Sequence, residues 1–212
     1  MSIVVEHDKR RRQILKKALD VFMEEGFENT TYQKIAGRCK ITRTTLYLYF
    51  RNRQEIFNFS IKQFMAEVEQ DILGVKEDTA LSTPAKLKKT LSLILSRLEE
   101  NQLLLSVILD YLMTKSRGPG NTKTKNSPAN KSIPKSEVLV RRRTIRLRHI
   151  LSAMIIEGIK SKELKKVDVG SANDLLYSLL EAAIFRLTVL KKESTAELKK
   201  AVGLAVDGIS AS

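Results

Sequence analysis

Apolar residues recur at helical spacing along almost the whole chain, and the places where they stop carry capping or breaking residues. From Lys9 to Glu25, Ile14, Leu15, Ala18, Val21 and Phe22 fall on one side of a helix while Lys16, Lys17, Asp20 and Glu24 fill the other, and Gly26 is its natural stop. Thr30 followed by Gln33 reads as a capping box opening a short helix to about Cys39. Thr42 reads as the N-cap of another short helix running to about Phe50, the two joined by a turn at Lys40 and Ile41. Asn52 with Glu55 opens a long helix through Phe57, Ile61, Phe64, Met65, Val68 and Ile72 to a stop at Gly74. Pro84, at a first-turn position, opens a helix with Leu87, Leu91, Ile94, Leu95 and Leu98, and a further one spans about Gln102 to Thr114. Later come a helix from about Ser136 to Lys160, one over Ser171 to Lys191 with Leu175, Leu176, Leu179, Leu180, Ala183, Ile184 and Leu187, and a last one opened by Ser194 and Glu197.

No repeat and no strand pattern interrupts the series, so the expected fold class is all-α. An N-terminal three-helix helix-turn-helix domain, residues 1–54, and a larger helical domain, residues 55–212, are expected. The segment 115–135 stands apart, with Gly118, Pro119, Gly120, Pro128 and Pro134 set among Lys, Ser, Thr and Asn, and by composition it is a disordered basic loop. The last two helices carry apolar residues on more than one narrow stripe, which fits either dimerisation or deep burial within one subunit.

Charge narrows the choice of partner. Lys and Arg number 38 against 24 Asp and Glu, a formal net charge of +14, which favours a polyanion, either nucleic acid or an anionic membrane surface. Much of that excess lies outside the N-terminal region, because between Lys115 and Arg148 basic residues face only Glu137. Cys39 is the single cysteine and cannot form an internal disulfide, which suits a reducing compartment. Met1 to Val5 is too short an apolar stretch for a signal peptide, and no segment approaches the roughly 18 apolar residues of a membrane span. A soluble, cytoplasmic protein without membrane contact is expected. His7 and His149 lie in basic surroundings, with no Cys/His cluster, phosphate-binding glycine loop or nucleophile motif, so neither catalysis, a metal site nor a cofactor is expected.

The segment from Thr30 to Phe50 carries the functional information. Its two short helices keep Ile35, Ala36, Cys39, Ile41, Leu46 and Tyr49 at the positions a helix-turn-helix uses for its own core, with Ala36 small where the helices cross closely. Arg43, Thr44, Thr45 and Tyr47 then occupy the outer face of the second helix, supplying guanidinium, hydroxyl and aromatic groups suited to base edges and phosphates in a major groove.

From Ile14 to Phe57 the sequence resembles the TetR family of transcriptional regulators: Ala18, Phe22, Gly26, Thr31, Ile35, Ala36, Leu46, Tyr47, Tyr49 and Phe50 match the family pattern in one register, over about a quarter of the chain. The resemblance implies a dimeric regulator with a DNA-binding head, a variable ligand-binding body and a homodimer interface made by the last two long helices. It places Thr31 and Tyr32 against phosphate and turns Arg43, Thr44, Thr45, Tyr47 and Tyr49 to the groove, although Tyr49 fits the core equally well. Arg53 stands where the family usually has a lysine on backbone phosphate, a change that keeps the charge and suits phosphate geometry. Lys40 stands where the turn usually carries a left-handed glycine, at a cost of roughly 1 kcal/mol. The partners implied are a double-stranded DNA operator, a second copy of the chain and a small-molecule effector of unidentified kind. A ligand among the body helices that spoils the spacing of the two heads, about 34 Å for adjacent half-sites, would release the DNA. Arg10 to Arg12 fit either a basic arm on DNA or a solvated face. Phe64, Met65, Leu104, Ile108 and Tyr111 fit either a pocket wall or ordinary core, so no ligand site is assigned. The competing reading is a non-enzymatic interaction protein, whose body and basic loop bind an acidic partner or DNA without sequence preference.

Overall fold

The computed structural model describes residues 3–116 and 135–211. Among them are the helices α1 (Ile3–Glu25), α2 (Tyr32–Cys39), α3 (Arg43–Tyr47), α4 (Arg53–Glu77), α5 (Thr83–Glu100), α6 (Gln102–Ser116), α7 (Lys135–Lys160), α8 (Val169–Thr188) and α9 (Ala196–Ile209). No β-strand occurs among the described residues, where a single antiparallel bridge pairs Leu164 with Ser210. The fold is all-α, as the periodicity predicts. No helix among the described residues is long and apolar enough to cross a membrane. The loop expected over 115–135 lies, from 117 to 134, outside the described residues.

The chain forms two compact units, one of Met1–Gln63 with Leu103–Val138, the other of Phe64–Gln102 with Leu139–Ser212. In the first, Ile14, Leu15, Ala18, Val21 and Phe22 of α1 are all buried, because their spacing keeps them on one helical face. Phe22 joins an aromatic cluster in which Phe27 lies 5.3 Å from Phe22, 5.1 Å from Phe57 and 4.9 Å from Tyr111 between ring centroids. Offset and edge-on ring contacts of this kind add to the area they bury. Gly26, with φ +76°, turns the chain out of α1 in the left-handed region open to glycine. Leu104, Ile108 and Tyr111 belong to this core.

The second unit packs α5, α8 and α9 together through Leu87, Leu91 and Leu95, Leu176, Leu180 and Leu187, and Val202 and Val206. In the same unit Phe64 is buried and Met65 half-buried. Arg97 of α5 reaches Asp71 of α4 at 2.6 Å, and Arg143 of α7 pairs with Glu69. A Cβ on Gly158 would stand 2.6 Å from the Leu164 side chain and 2.8 Å from that of Thr83, so the close approach of these segments needs glycine.

Several boundaries differ from the sequence expectation for identifiable reasons. α1 begins at Ile3 rather than Lys9. α4 passes through Gly74 to Glu77 because Val75 is itself buried, and packing outweighs the roughly 1 kcal/mol that an interior glycine costs. α8 opens two residues earlier, capped by Asp168, whose carboxylate accepts from Ser171 N at 2.7 Å. It ends at Thr188, and Lys191 beyond it has φ +53°.

Candidate nucleic-acid interface

The site is built on α2 and α3 of the first unit. The cap of α2 is Thr31, whose hydroxyl accepts from Lys34 N at 3.2 Å, and not Thr30 as the capping-box spacing suggests. Thr30 is fully buried, and its hydroxyl is drawn to the carbonyls of Gly26 at 2.8 Å and Val21 at 3.3 Å. With both threonines chemically able to cap, burial decides the register.

α2 ends in a Schellman motif. Lys40 lies at φ 55° and ψ 43°, its N–H donates to Gly37 O at 3.0 Å, and Ile41 N donates to Ala36 O at 3.1 Å. A non-glycine residue thus adopts the left-handed conformation the resemblance requires. Thr42 caps α3, accepting from Thr45 N at 3.0 Å, with the two hydroxyls 2.9 Å apart. Ile35, Ala36, Cys39 and Leu46 are buried where the two helices meet, while Ile41 and Tyr49 are half-buried. Burial pushes the Cys39 thiol up, away from the thiolate that redox chemistry needs.

This core leaves Arg43 and Thr44 exposed, Thr45 half-buried beside Thr42, and Tyr47 50% exposed. Leu48 is 72% exposed, an outward apolar side chain that the sequence reading missed. Its signal is its place two residues beyond buried Leu46, which at helical spacing turns it to the opposite side. Thr31 is exposed, and because its oxygen accepts the capping bond, its hydroxyl hydrogen stays available to an acceptor such as phosphate. Arg43 has no ion-pair partner among the described residues, whereas the cations of α2 do: Lys34 lies 2.6 Å from Glu25, and Arg38 pairs with Glu24, holding that carboxyl below its usual range.

Tyr32 and Arg53 use their polar groups inside the protein. Tyr32 shares its hydroxyl hydrogen between the carbonyls of Phe50 and Leu46, its ring lies 4.6 Å from that of Tyr47, and burial, followed by Tyr47 and Glu55, pushes its phenol up to about 12. Arg53 donates to Glu28 O at 2.6 Å and Thr30 O at 2.7 Å, meets the Glu28 carboxylate at 3.2 Å, and lies 5.0 Å over Phe27. One residue ties α2 to the end of α3, and the other ties the α1–α2 connection to the start of α4. Tyr49, which follows α3, stacks on His7 of α1 at 4.8 Å. Of the α1 arginines, Arg10 donates to Gln13 at 3.1 Å, Arg11 lies over Phe50 and Phe59, and Arg12 is exposed.

Residues 14–58 match the model of bacterial regulatory proteins of the tetR family, which spans the site just described. The fatty acid metabolism regulator protein of Bacillus subtilis is 26% identical over 180 residues, covering 81% of this chain and 80% of that protein. The similarity to the uncharacterized HTH-type transcriptional regulator YerO of the same organism is 24% over 82 residues and spans only 28% of that protein's length. Among solved structures, the fatty acid degradation regulator FadR from Bacillus halodurans superposes with a TM-score of 0.67 at 16% identity, covering 93% of each chain. The ketosteroid transcriptional regulator KstR2 of Mycobacterium tuberculosis superposes with a TM-score of 0.68 at 14% identity, covering 96% of each. These superpositions are likenesses of fold.

Proposed function

Because this chain belongs to the TetR family of bacterial regulatory proteins and is therefore a DNA-binding transcriptional regulator, we propose that it reads a specific operator as a homodimer and represses transcription until a small-molecule effector releases it. The observation that carries the reading is the outer face of α3, where Arg43, Thr44 and Tyr47, with Leu48 at its C-cap, are presented together on a helix whose inner side is fixed by Leu46 and the Thr42 cap. Arginine forks onto the O6 and N7 of guanine, hydroxyls serve base edges or phosphate, and an apolar side chain suits the thymine methyl.

In this reading Arg43, Thr44 and Tyr47 face the groove and Thr31 takes a phosphate. Thr45 and Tyr49 flank them, while Tyr32 and Arg53 act chiefly as braces. Residues 1–54 form the DNA-binding head, and 55–212 serve regulation and dimerisation. Dimerisation is assigned to α8 and α9, where Leu175, Phe185 and Leu204 stand at least 49% exposed in the single chain, as do Val189 and Leu190 just past the end of α8. Large apolar side chains left in solvent are what a partner subunit would cover. An effector held in the second unit that prefers the DNA-incompetent form lowers operator affinity by the ratio of its affinities for the two forms. The B. subtilis relative points to genes of fatty acid metabolism as the regulated set. A cytoplasmic location follows from that role.

The test is recovery of preferred duplexes from a random-sequence DNA pool by the purified full-length protein. A two-fold related pair of half-sites supports the reading, and recovery of no consensus overturns it.

A further inference from the structure

We propose that His7 and Arg11 are positioning residues for DNA recognition, gripping from α1 the consecutive residues Tyr49 and Phe50 that follow α3. The inference rests on the reading of α3 as the DNA-contacting helix. His7 and Arg11 are spaced i and i+4, so both lie on one face of α1 a single turn apart. The His7 ring stacks on Tyr49 with centroids 4.8 Å apart and 27° between the planes. The Arg11 guanidinium lies 4.9 Å from the Phe50 centroid and 4.2 Å from that of Phe59 on α4. Its Nε is buried without a hydrogen-bond partner, and Arg11 has no ion pair with a carboxylate among the described residues, so the two rings are the contacts that orient it.

The geometry matters because regular helix ends at Tyr47. Past that point Tyr49 keeps only a turn bond, its N–H donating to Leu46 O at 3.1 Å, and its ring is only half-buried. The stacked imidazole is the ring contact that fixes its direction. Phe50 is fixed from both sides, by Arg11 over its ring and by the Tyr32 hydroxyl on its carbonyl. Removing the His7 ring frees Tyr49 to adopt other rotamers, and the DNA complex must then order it again. A stacked ring pair corresponds to roughly a three- to tenfold effect on an equilibrium.

The experiment measures affinity of the full-length protein for a duplex recovered by the wild type and for a scrambled duplex, with His7→Ala, His7→Phe, Arg11→Met and Arg11→Lys. Thermal midpoints and the ring-proton NMR shifts of Tyr49 are recorded in parallel. His7→Ala is expected to lose roughly three- to tenfold on the recovered duplex, with a displaced Tyr49 shift and a thermal midpoint lowered by no more than a few degrees, so that the protein stays folded at the binding temperature. His7→Phe keeps a stacked ring and stays within about twofold of the wild type on the same reasoning. Arg11→Met weakens binding, and Arg11→Lys, which retains a cation over the rings, recovers part of it. Wild-type affinity in His7→Ala, or a His7→Phe as weak as His7→Ala, overturns the positioning role. A wild type that recovers no preferred duplex overturns the reading of α3 and this proposal with it, and is told apart because the Tyr49 shift still responds to His7→Ala.

Discussion

The hydroxyl of Tyr32 donates to the carbonyl of Phe50, so the first residue of α2 fastens the chain just beyond α3. A second acceptor, Leu46 O, lies 3.2 Å away. With its phenol pushed up to about 12, chiefly by burial, the group keeps its hydrogen throughout the physiological range. Tyr32→Phe leaves the ring contact with Tyr47 and removes only the hydroxyl. A loss of about 1 kcal/mol in stability by urea unfolding is expected, together with weaker binding to every duplex.

Lys40 holds a left-handed conformation at φ 55°, which costs an L-residue roughly 1 kcal/mol relative to glycine. Lys40→Gly relieves that cost while keeping both backbone bonds of the turn. The larger freedom of glycine in the unfolded chain offsets part of the gain, so the urea midpoint should rise by an amount equivalent to somewhat less than about 1 kcal/mol. A lower midpoint would show that the lysine side chain contributes more than the backbone strain it carries.

Much of this local architecture is legible in the sequence because it depends on neighbours in the chain. The Thr42 cap, the Lys40 turn, the Gly26 stop and the buried stripe of α1 all follow from spacing and short-range chemistry. What escapes is set by contacts distant in sequence. Thr30 and Thr31 are equally good caps until burial takes one, and Gly74 stops nothing because Val75 has a place in the core. Arg53 carries the charge expected of a phosphate contact, yet carbonyls of the α1–α2 connection occupy it. His7 reads as an ordinary polar residue until α1 is seen to begin before it, which brings its ring onto Tyr49. Leu48 is apolar, so composition alone assigns it to the core, although its spacing from Leu46 turns it outward.

Phe185 is 52% exposed and Leu204 76% exposed in the single chain, and the proposed dimer covers both. Phe185→Glu or Leu204→Glu places a charge in that interface, where leaving it unpaired is costly. Sedimentation equilibrium should show the wild type as a dimer and either variant shifted at least tenfold toward monomer. A monomeric wild type would remove the assignment of α8 and α9.

Glu99 accepts from the backbone N–H of Thr195 at 2.8 Å and from its hydroxyl at 2.6 Å, bonds that hold its carboxyl below the usual value of 4.5. A depressed folded pKa means that this stabilisation is complete above the unfolded value and is lost as pH falls through the folded one. Glu99→Gln should therefore unfold more readily than the wild type at neutral pH, with the difference shrinking once pH drops below about 4.5. A gap that persists unchanged into acid would assign the effect to packing.

The central claim is that α3 reads sequence through Arg43. Its most direct test titrates the full-length protein, and Arg43→Ala beside it, against a recovered duplex and a scrambled one of equal length, at about 50 mM and about 200 mM salt. Phosphate contacts weaken on every duplex alike as salt rises, whereas base contacts keep the ratio between duplexes. The account predicts that the wild type retains its preference at the higher salt and that Arg43→Ala loses the equivalent of about 1–3 kcal/mol on the recovered duplex only. Equal loss on both duplexes, or an Arg43→Ala protein that discriminates as well as the wild type, would contradict it.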